Sequence, residues 1–64
     1  MSERVKLLAE QAKQSMPNGL LVERWIELYN QKFAELIIKE CAHKLEDNGM
    51  VEVAMELKEH FGVE

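Results

Sequence analysis

Two cationic and two aromatic side chains occur close together in residues 24–32, and their types suit the recognition of a nucleotide. Trp25 and Tyr29 are four residues apart, so their rings lie on one face of a helix. Such rings stack on a nucleobase, and a neighbouring Arg or Lys neutralises its phosphates. The predicted ligand-binding residues are Arg24, Trp25, Tyr29 and Lys32. Alternatively, the two rings anchor a contact between subunits, and both interpretations hold if the pocket lies between subunits.

Residues of the kinds used in catalysis and metal binding are sparse. Cys41 and His43 are two residues apart, which directs them about 200° from each other on a helix, so they do not form a nucleophile and its base. One cysteine and two histidines do not supply a structural zinc site. Cys41 falls among apolar residues and is expected to be a buried, unreactive thiol. We therefore predict that the chain is not an enzyme and holds no metal and no cofactor.

The chain is acidic, with a net charge of −4 from twelve acidic and eight basic residues scattered along it. Duplex DNA and RNA are recognised through clustered Lys and Arg, so this balance argues against a duplex nucleic acid partner. A small anionic ligand needs only a few cations and remains compatible with the composition. Two pairs have the spacing of ion pairs on a solvated helix face, namely Glu35 with Lys39 and Glu40 with Lys44.

Two turn signals divide the chain into three helical segments. Pro17 disfavours helix in the residue before it, and Gly19 and Gly49 follow asparagines that tolerate tight turns. Ser2 is a predicted N-cap, and Gly62 is a predicted C-terminal stop. The helices are predicted at residues 3–15, 20–48 and from 50 to about 60. The predicted fold class is therefore all-α, with three helices in the order short, long, short, in a single domain over residues 1–64.

Residues beside the two later turns are expected to complete the helix ends. Asp47 or Asn48 can cap the start of the third helix through its side-chain oxygen. Phe61 and Val63 flank Gly62 and can fold back as an apolar plug.

Apolar residues of the long segment occupy three sides of the helix. One stripe consists of Leu21, Trp25 and Leu28; another of Val22, Ile26, Tyr29, Phe33, Ile37, Cys41 and Leu45; the third of Ala34, Ile38 and Ala42. A surface helix needs only one such stripe, roughly 100° wide, and two short helices cannot cover three. A single cysteine also excludes an intramolecular disulfide as a staple. We therefore predict a homo-oligomeric helical bundle, with dimer or tetramer the simplest closed assemblies.

No apolar run approaches the roughly 20 residues that span a bilayer. Charges interrupt the first residues, MSERVKLLAEQ, where a signal peptide would need an apolar core. We predict a cytoplasmic protein with no membrane partner, and a single free cysteine agrees with a reducing compartment.

Two blocks of the chain carry a resemblance to a known group of proteins. They are residues 32–42 (KFAELIIKECA) and residues 57–64 (LKEHFGVE). Both resemble short helical proteins of tailed phages, while the N-terminal half, with Trp25, lies outside the match. The resemblance implies phage origin, a shared helical architecture and the cytoplasm of an infected bacterium as the location. It transfers no catalytic residue.

Small, acidic, oligomeric phage proteins include anti-defence factors, and this chain is similar in size and character to sponges of the Sequestin and Lockin kind. Such sponges hold nucleotide immune signals, such as cyclic dinucleotides or cyclic ADP-ribose variants, without turnover. The resemblance therefore implies sequestration of such a signal. The types and spacing of the residues, and not the resemblance, assign the contacts: Trp25 or Tyr29 stacks on the base, and Arg24 and Lys32 contact the phosphates. The alternative is a helical module that docks an apolar face on a host defence protein and inhibits it. A nucleic-acid regulator would need a basic stripe, which this sequence lacks.

Overall fold

The computed structural model describes residues 2–63 and confirms the predicted order of helices. Within this range the chain forms three α-helices and no strand. They are α1 (Glu3–Gln14), α2 (Val22–Asp47) and α3 (Val51–Phe61). The all-α class and the order short, long, short are therefore those expected from the turn signals.

The start of α1 is capped as the sequence predicts, whereas α2 begins two residues later than expected. The Ser2 hydroxyl oxygen accepts a hydrogen bond from the Val5 N–H at 3.2 Å, and Glu3 lies at the positive end of the helix dipole. Leu21, in extended conformation, is the N-cap of α2 and has no side-chain acceptor for the first free N–H groups. Residues 15–21 form the connection between α1 and α2, in which the chain reverses its direction.

The end of α2 is a Schellman motif around Gly49. The Met50 N–H donates to the Leu45 carbonyl at 2.9 Å, and the Gly49 N–H donates to the Glu46 carbonyl at 2.9 Å. Gly49 has φ 80°, a left-handed value that other residues adopt only with strain. The predicted stop at Gly49 is confirmed.

The predicted cap of α3 by Asp47 or Asn48 is wrong. The Asn48 amide donates to the Lys44 carbonyl at 2.9 Å, so this side chain completes the end of α2 instead. Met50 is the N-cap residue of α3, and it makes no side-chain hydrogen bond there. The reason is geometric, because the Schellman turn leaves Asn48 next to the last carbonyls of α2.

Only half of the predicted apolar plug at the C-terminal end forms. Gly62 has φ 68°, and the Val63 N–H donates to the Lys58 carbonyl at 2.8 Å, which folds the chain back over α3. Val63 is buried by this turn, whereas Phe61 remains 55% exposed. The Phe61 ring instead contacts His60 edge-on, at 4.9 Å between ring centroids.

Both short helices pack against α2, and within residues 2–63 they make no contact with each other. Arg4 on α1 donates two hydrogen bonds to the two carboxylate oxygens of Glu40 on α2. On α3, the Lys58 ammonium lies 3.8 Å from the Glu46 carboxylate. The expected pairing of Glu40 with Lys44 is therefore replaced by a pairing between helices.

The core formed by a single chain is small. Its buried apolar residues are Leu8, Ala12, Ala42, Ala54 and Val63. The accessible surface is 5177 Å², whereas a compact monomer of this mass exposes about 4,200 Å². The radius of gyration is 13.4 Å, against about 11 Å for a compact chain of this length. The chain is extended along α2 and leaves apolar surface uncovered.

Cys41 lies on this uncovered surface, contrary to the prediction of a buried thiol. Its side chain is exposed, because neither α1 nor α3 covers that side of α2. Among residues 2–63, no helix is long and apolar enough to cross a membrane.

We expect Gly49→Ala to lower the free energy of unfolding by about 1–2 kcal/mol, because an L-residue is strained at positive φ. Steric contact is not the cause, since a Cβ at this position meets nothing within 4 Å. Gly49→Asn is the matched control. Its free energy of unfolding should fall by less than that of Gly49→Ala, because Asn adopts the left-handed region more readily than Ala. Urea unfolding of the parent, Gly49→Ala and Gly49→Asn measures these free energies. Equal decreases for the two variants would contradict the conformational explanation.

The pairing with Arg4 predicts an acid-dependent contribution of Glu40 to stability. The hydrogen bonds from Arg4 hold the pKa of Glu40 below its usual value. A lowered pKa in the folded state stabilises the fold above the ordinary value of about 4.3, and this contribution disappears as the pH falls through the folded pKa. Glu40→Gln should therefore be less stable than the parent at neutral pH and equally stable in acid. The same difference in urea midpoint at pH 7 and pH 3 would refute this, and Glu10→Gln on exposed α1 surface is the control.

Candidate functional site

Three aromatic rings form a row along α2, at positions four residues apart. The rings of Trp25 and Tyr29 stack with 5.1 Å between centroids and 7° between planes. Phe33 follows at 6.0 Å from Tyr29, tilted by 39°. Tyr29 thus has two ring neighbours in the row, whereas Trp25, at the end of the row, has one. Of the two predicted stacking residues, Trp25 is therefore the one that this row leaves better placed for a nucleobase.

Tyr29 also links α2 to α1 through a hydrogen bond. Its hydroxyl donates to the Ala9 carbonyl at 3.3 Å, and its ring is half-buried between the two helices. This carbonyl lies within α1, so the bond is a second link between the helices besides that of Arg4 with Glu40. Tyr29 therefore has a structural role in the single chain.

Arg24 lines a different depression from Lys32. It is 74% exposed, and its Nη1 is 3.4 Å from a carboxylate oxygen of Glu27, one turn later on α2. It lines a shallow depression of about 120 Å³ together with Leu20, Glu27, Leu28 and Gln31. Lys32 does not border this depression, so the structure does not bring the two predicted cations into one pocket.

Lys32 instead lines a groove between α1 and α2, which we name the Lys32 groove. Its volume is about 200 Å³, and its residues are Gln11, Ser15, Lys32, Glu35, Leu36 and Lys39. Lys39 is seven residues after Lys32, and Trp25 is seven residues before it, so the three lie on the same side of α2. Lys39 also borders a second depression with Glu35 and Val63, at the end of α3. The Lys32 groove therefore runs along α2 between the two short helices.

The Lys32 groove has one net positive charge, because two lysines and one glutamate line it. The Ser15 hydroxyl already donates to the Ala12 carbonyl at 2.9 Å, and one Glu35 oxygen accepts from the Gln31 amide at 3.3 Å. The donors left for a ligand are the two ammonium groups of Lys32 and Lys39 and the amide of Gln11. Small-molecule sites usually have about 300–1,000 Å³, so this groove suits a phosphate with its sugar rather than a whole nucleotide.

Of the six groove residues, only Lys32 belongs to the predicted site, and the five that it lacks include Gln11, Ser15 and Lys39. The heptad spacing of Trp25, Lys32 and Lys39 is visible in the sequence and was the available signal for Lys39. The expected salt bridge of Glu35 with Lys39 does not form among residues 2–63, so the Lys39 ammonium stays available to the groove. Gln11 and Ser15 have no sequence signal of this kind, because only the packing of α1 brings them to Lys32.

A wider, open depression on α2 contains the remaining reactive side chains. It has a volume of about 450 Å³ and is lined by Glu40, Cys41, His43, Lys44 and Asp47. Glu40 is paired with Arg4 there, and the nearby His43 lowers its pKa slightly further. In the described part of the chain, no group of three or more His, Cys, Asp or Glu side chains is arranged to hold a metal ion.

Comparison of the chain with protein-family models, with curated proteins and with solved structures finds no match. The candidate site is therefore described by its own geometry.

We expect Tyr29→Phe to lower the free energy of unfolding by about 0.5–1.5 kcal/mol, the usual net value of one hydrogen bond. The substitution keeps the ring stack and removes only the hydrogen bond from the Tyr29 hydroxyl to the Ala9 carbonyl. Thermal unfolding followed by circular dichroism measures the loss. An unchanged transition would mean that the hydroxyl does not hold α1 against α2.

Proposed function

We propose that the protein binds a phosphate-bearing, nucleotide-type ligand in the Lys32 groove and holds it without turnover. The observation that carries the proposal is the position of Lys32 and Lys39 on the same side of α2 as Trp25, in a chain whose net charge is −4. Cations gathered in one groove of an acidic protein select small anions over nucleic acid duplexes.

The spacing along α2 suits a ligand with separated polar and aromatic parts. Seven residues of helix correspond to about 10 Å, so Trp25, Lys32 and Lys39 lie at intervals of that length. A phosphate between Lys32 and the Gln11 amide would leave an attached base directed along α2 toward Trp25. The outer face of that ring is then available for stacking, which is sequence-tolerant and strong for any base.

The groove is suited to binding rather than to chemistry. Its only hydroxyl, that of Ser15, donates to a backbone carbonyl and not to a general base. A protein that retains its ligand unchanged acts as a sponge. Together with the resemblance to small phage proteins, this supports an anti-defence role in the cytoplasm of an infected bacterium, with a cyclic dinucleotide or a cyclic ADP-ribose variant as the sequestered immune signal.

The proposal includes self-association of the chain. The accessible surface of 5177 Å² exceeds the roughly 4,200 Å² of a compact monomer, and the Lys32 groove by itself holds only part of a nucleotide. A homo-oligomeric helical bundle would cover the surplus surface and enlarge the site.

A second candidate function is a helical interaction module that inhibits a host defence protein. The observation in its favour is an exposed apolar patch at the start of α2, formed by Leu21, Val22 and Ile26, which are 79%, 74% and 49% exposed. An amphipathic helix with such anchors docks into the apolar groove of a partner. This function would need no nucleotide.

We expect Lys32→Gln to weaken nucleotide binding about tenfold or more, because a charge-assisted hydrogen bond to phosphate contributes about 1.5–3 kcal/mol. Arg24→Gln is the matched control and should bind like the parent, since Arg24 lies outside the groove. Calorimetry with cyclic dinucleotides and cyclic ADP-ribose variants measures affinity, and quenching of Trp25, the single tryptophan, reports stacking.

Two results would overturn the proposed site. Equal losses for Arg24→Gln and Lys32→Gln would place the phosphates elsewhere. Absence of binding by the parent protein to any of these nucleotides, with a stoichiometric host protein retained on purification, would favour the interaction module.

A further inference from the structure

One carboxylate, that of Glu35, lies among the lysines to which we assign phosphate binding. Glu35 is half-buried and lines both the Lys32 groove and the second depression, which contains Lys39 and Val63. Among residues 2–63 no salt bridge joins Glu35 to Lys32 or Lys39, although both spacings along α2 would permit one. A negative charge at this place opposes phosphate binding unless another part of the ligand uses it.

The Glu35 carboxylate can accept hydrogen bonds from a ligand. One of its oxygens accepts from the Gln31 amide at 3.3 Å, but a carboxylate offers about four lone-pair sites and donates no hydrogen bond. Its best partner is therefore a group with two adjacent N–H donors. Guanine has such a pair, N1–H and N2–H, on its Watson–Crick edge. Adenine has an acceptor nitrogen beside its amino group, and that nitrogen would face a carboxylate oxygen.

We propose that Glu35 determines the specificity of the site by binding a guanine base, and that the ligand is a guanine-bearing cyclic dinucleotide. The inference rests on the proposed function, because it names the ligand class of the same site. A cyclic ADP-ribose variant carries adenine as its only base, so it would leave either Trp25 without a base to stack on or Glu35 beside an unmatched edge.

The order of groups along α2 suits a ligand with two bases. Lys32 lies about 10 Å from Trp25 and about 5 Å from Glu35 along the helix axis, in opposite directions. A phosphate at Lys32 therefore has an aromatic ring on one side and a carboxylate on the other. The Lys39 ammonium, beyond Glu35, is available to the second phosphate.

The space around Glu35 also suits a second base. The two depressions that Glu35 lines have volumes of about 200 and 250 Å³. Each is smaller than an ordinary small-molecule site, but together they reach the usual range of about 300–1,000 Å³. A ligand that extends from the Lys32 groove into the second depression would therefore place its base next to the carboxylate.

Glu35→Gln tests the role of the carboxylate with little change in side-chain size. A glutamine amide donates as well as accepts, so it matches the amino group and the acceptor nitrogen of adenine. We expect the parent to bind cyclic di-GMP at least about tenfold more tightly than cyclic di-AMP, because a hydrogen bond to a charged group contributes more than a neutral one. Glu35→Gln should lose this preference. Calorimetry with the two nucleotides measures the four affinities.

Glu27→Gln is the matched control. It removes the same charge from α2, but Glu27 lines neither of the depressions that contain Glu35. This variant should keep both the affinity and the preference of the parent. Circular dichroism checks that both variants remain helical.

Three results would overturn guanine recognition by Glu35 and leave the phosphate site intact. The first is equal affinity of the parent for the two nucleotides, and the second is tighter binding of a cyclic ADP-ribose variant than of cyclic di-GMP. The third is an equal gain in affinity for both nucleotides in Glu35→Gln, which is what removal of a repulsive charge alone would cause. If the parent binds none of these nucleotides, the proposed function fails and the inference fails with it.

Discussion

The packing of both short helices on α2, and not on each other, is the constraint on which the rest of the structure depends. Because α1 and α3 lie on different sides of α2, each buries only one narrow strip of it. Alanines dominate the buried residues at these contacts. Ala12 of α1, Ala42 of α2 and Ala54 of α3 are fully buried, so the backbones approach closely but remove little apolar area from water. A core of this kind stabilises a short chain weakly, and further burial must come from outside the chain.

The same arrangement shapes the surface to which we assign ligand binding. Separation of α1 from α3 opens the Lys32 groove along one side of α2, where the ammonium groups of Lys32 and Lys39 lie. The proposed ligand therefore uses surface that the packing of the two short helices leaves open.

Aromatic residues near the start of α2 have a structural role besides the binding role that we propose. Tyr29 is held between Trp25 and Phe33 and is hydrogen-bonded to α1. This fixes the orientation of Trp25, because one face of its ring rests on Tyr29. A ring held in place loses little freedom when a base stacks on it, which favours binding. Tyr29 thus links α1 and α2 within one chain, and the proposed ligand contact is made by Trp25. A contact of these rings between subunits stays a prediction.

Local physical chemistry in the sequence by itself determined the three helices and most of their ends. Ser2, Gly49 and Gly62 act through hydrogen bonds and backbone angles of their immediate neighbours, so their effects can be predicted without knowing the fold. Apolar stripes on several sides of α2 likewise showed that the chain carries more apolar surface than two short helices can bury.

Tertiary structure alone decided which stripe is covered and which charges meet. Helical periodicity gives the side on which a residue lies but not the neighbour that arrives there. Cys41 is therefore exposed instead of buried, Glu40 pairs with Arg4 from a distant part of the chain, and Lys32 faces Gln11 rather than Arg24. These outcomes depend on how α1 and α3 are placed around α2, which is set by the sum of many weak packing contacts and not by any local signal.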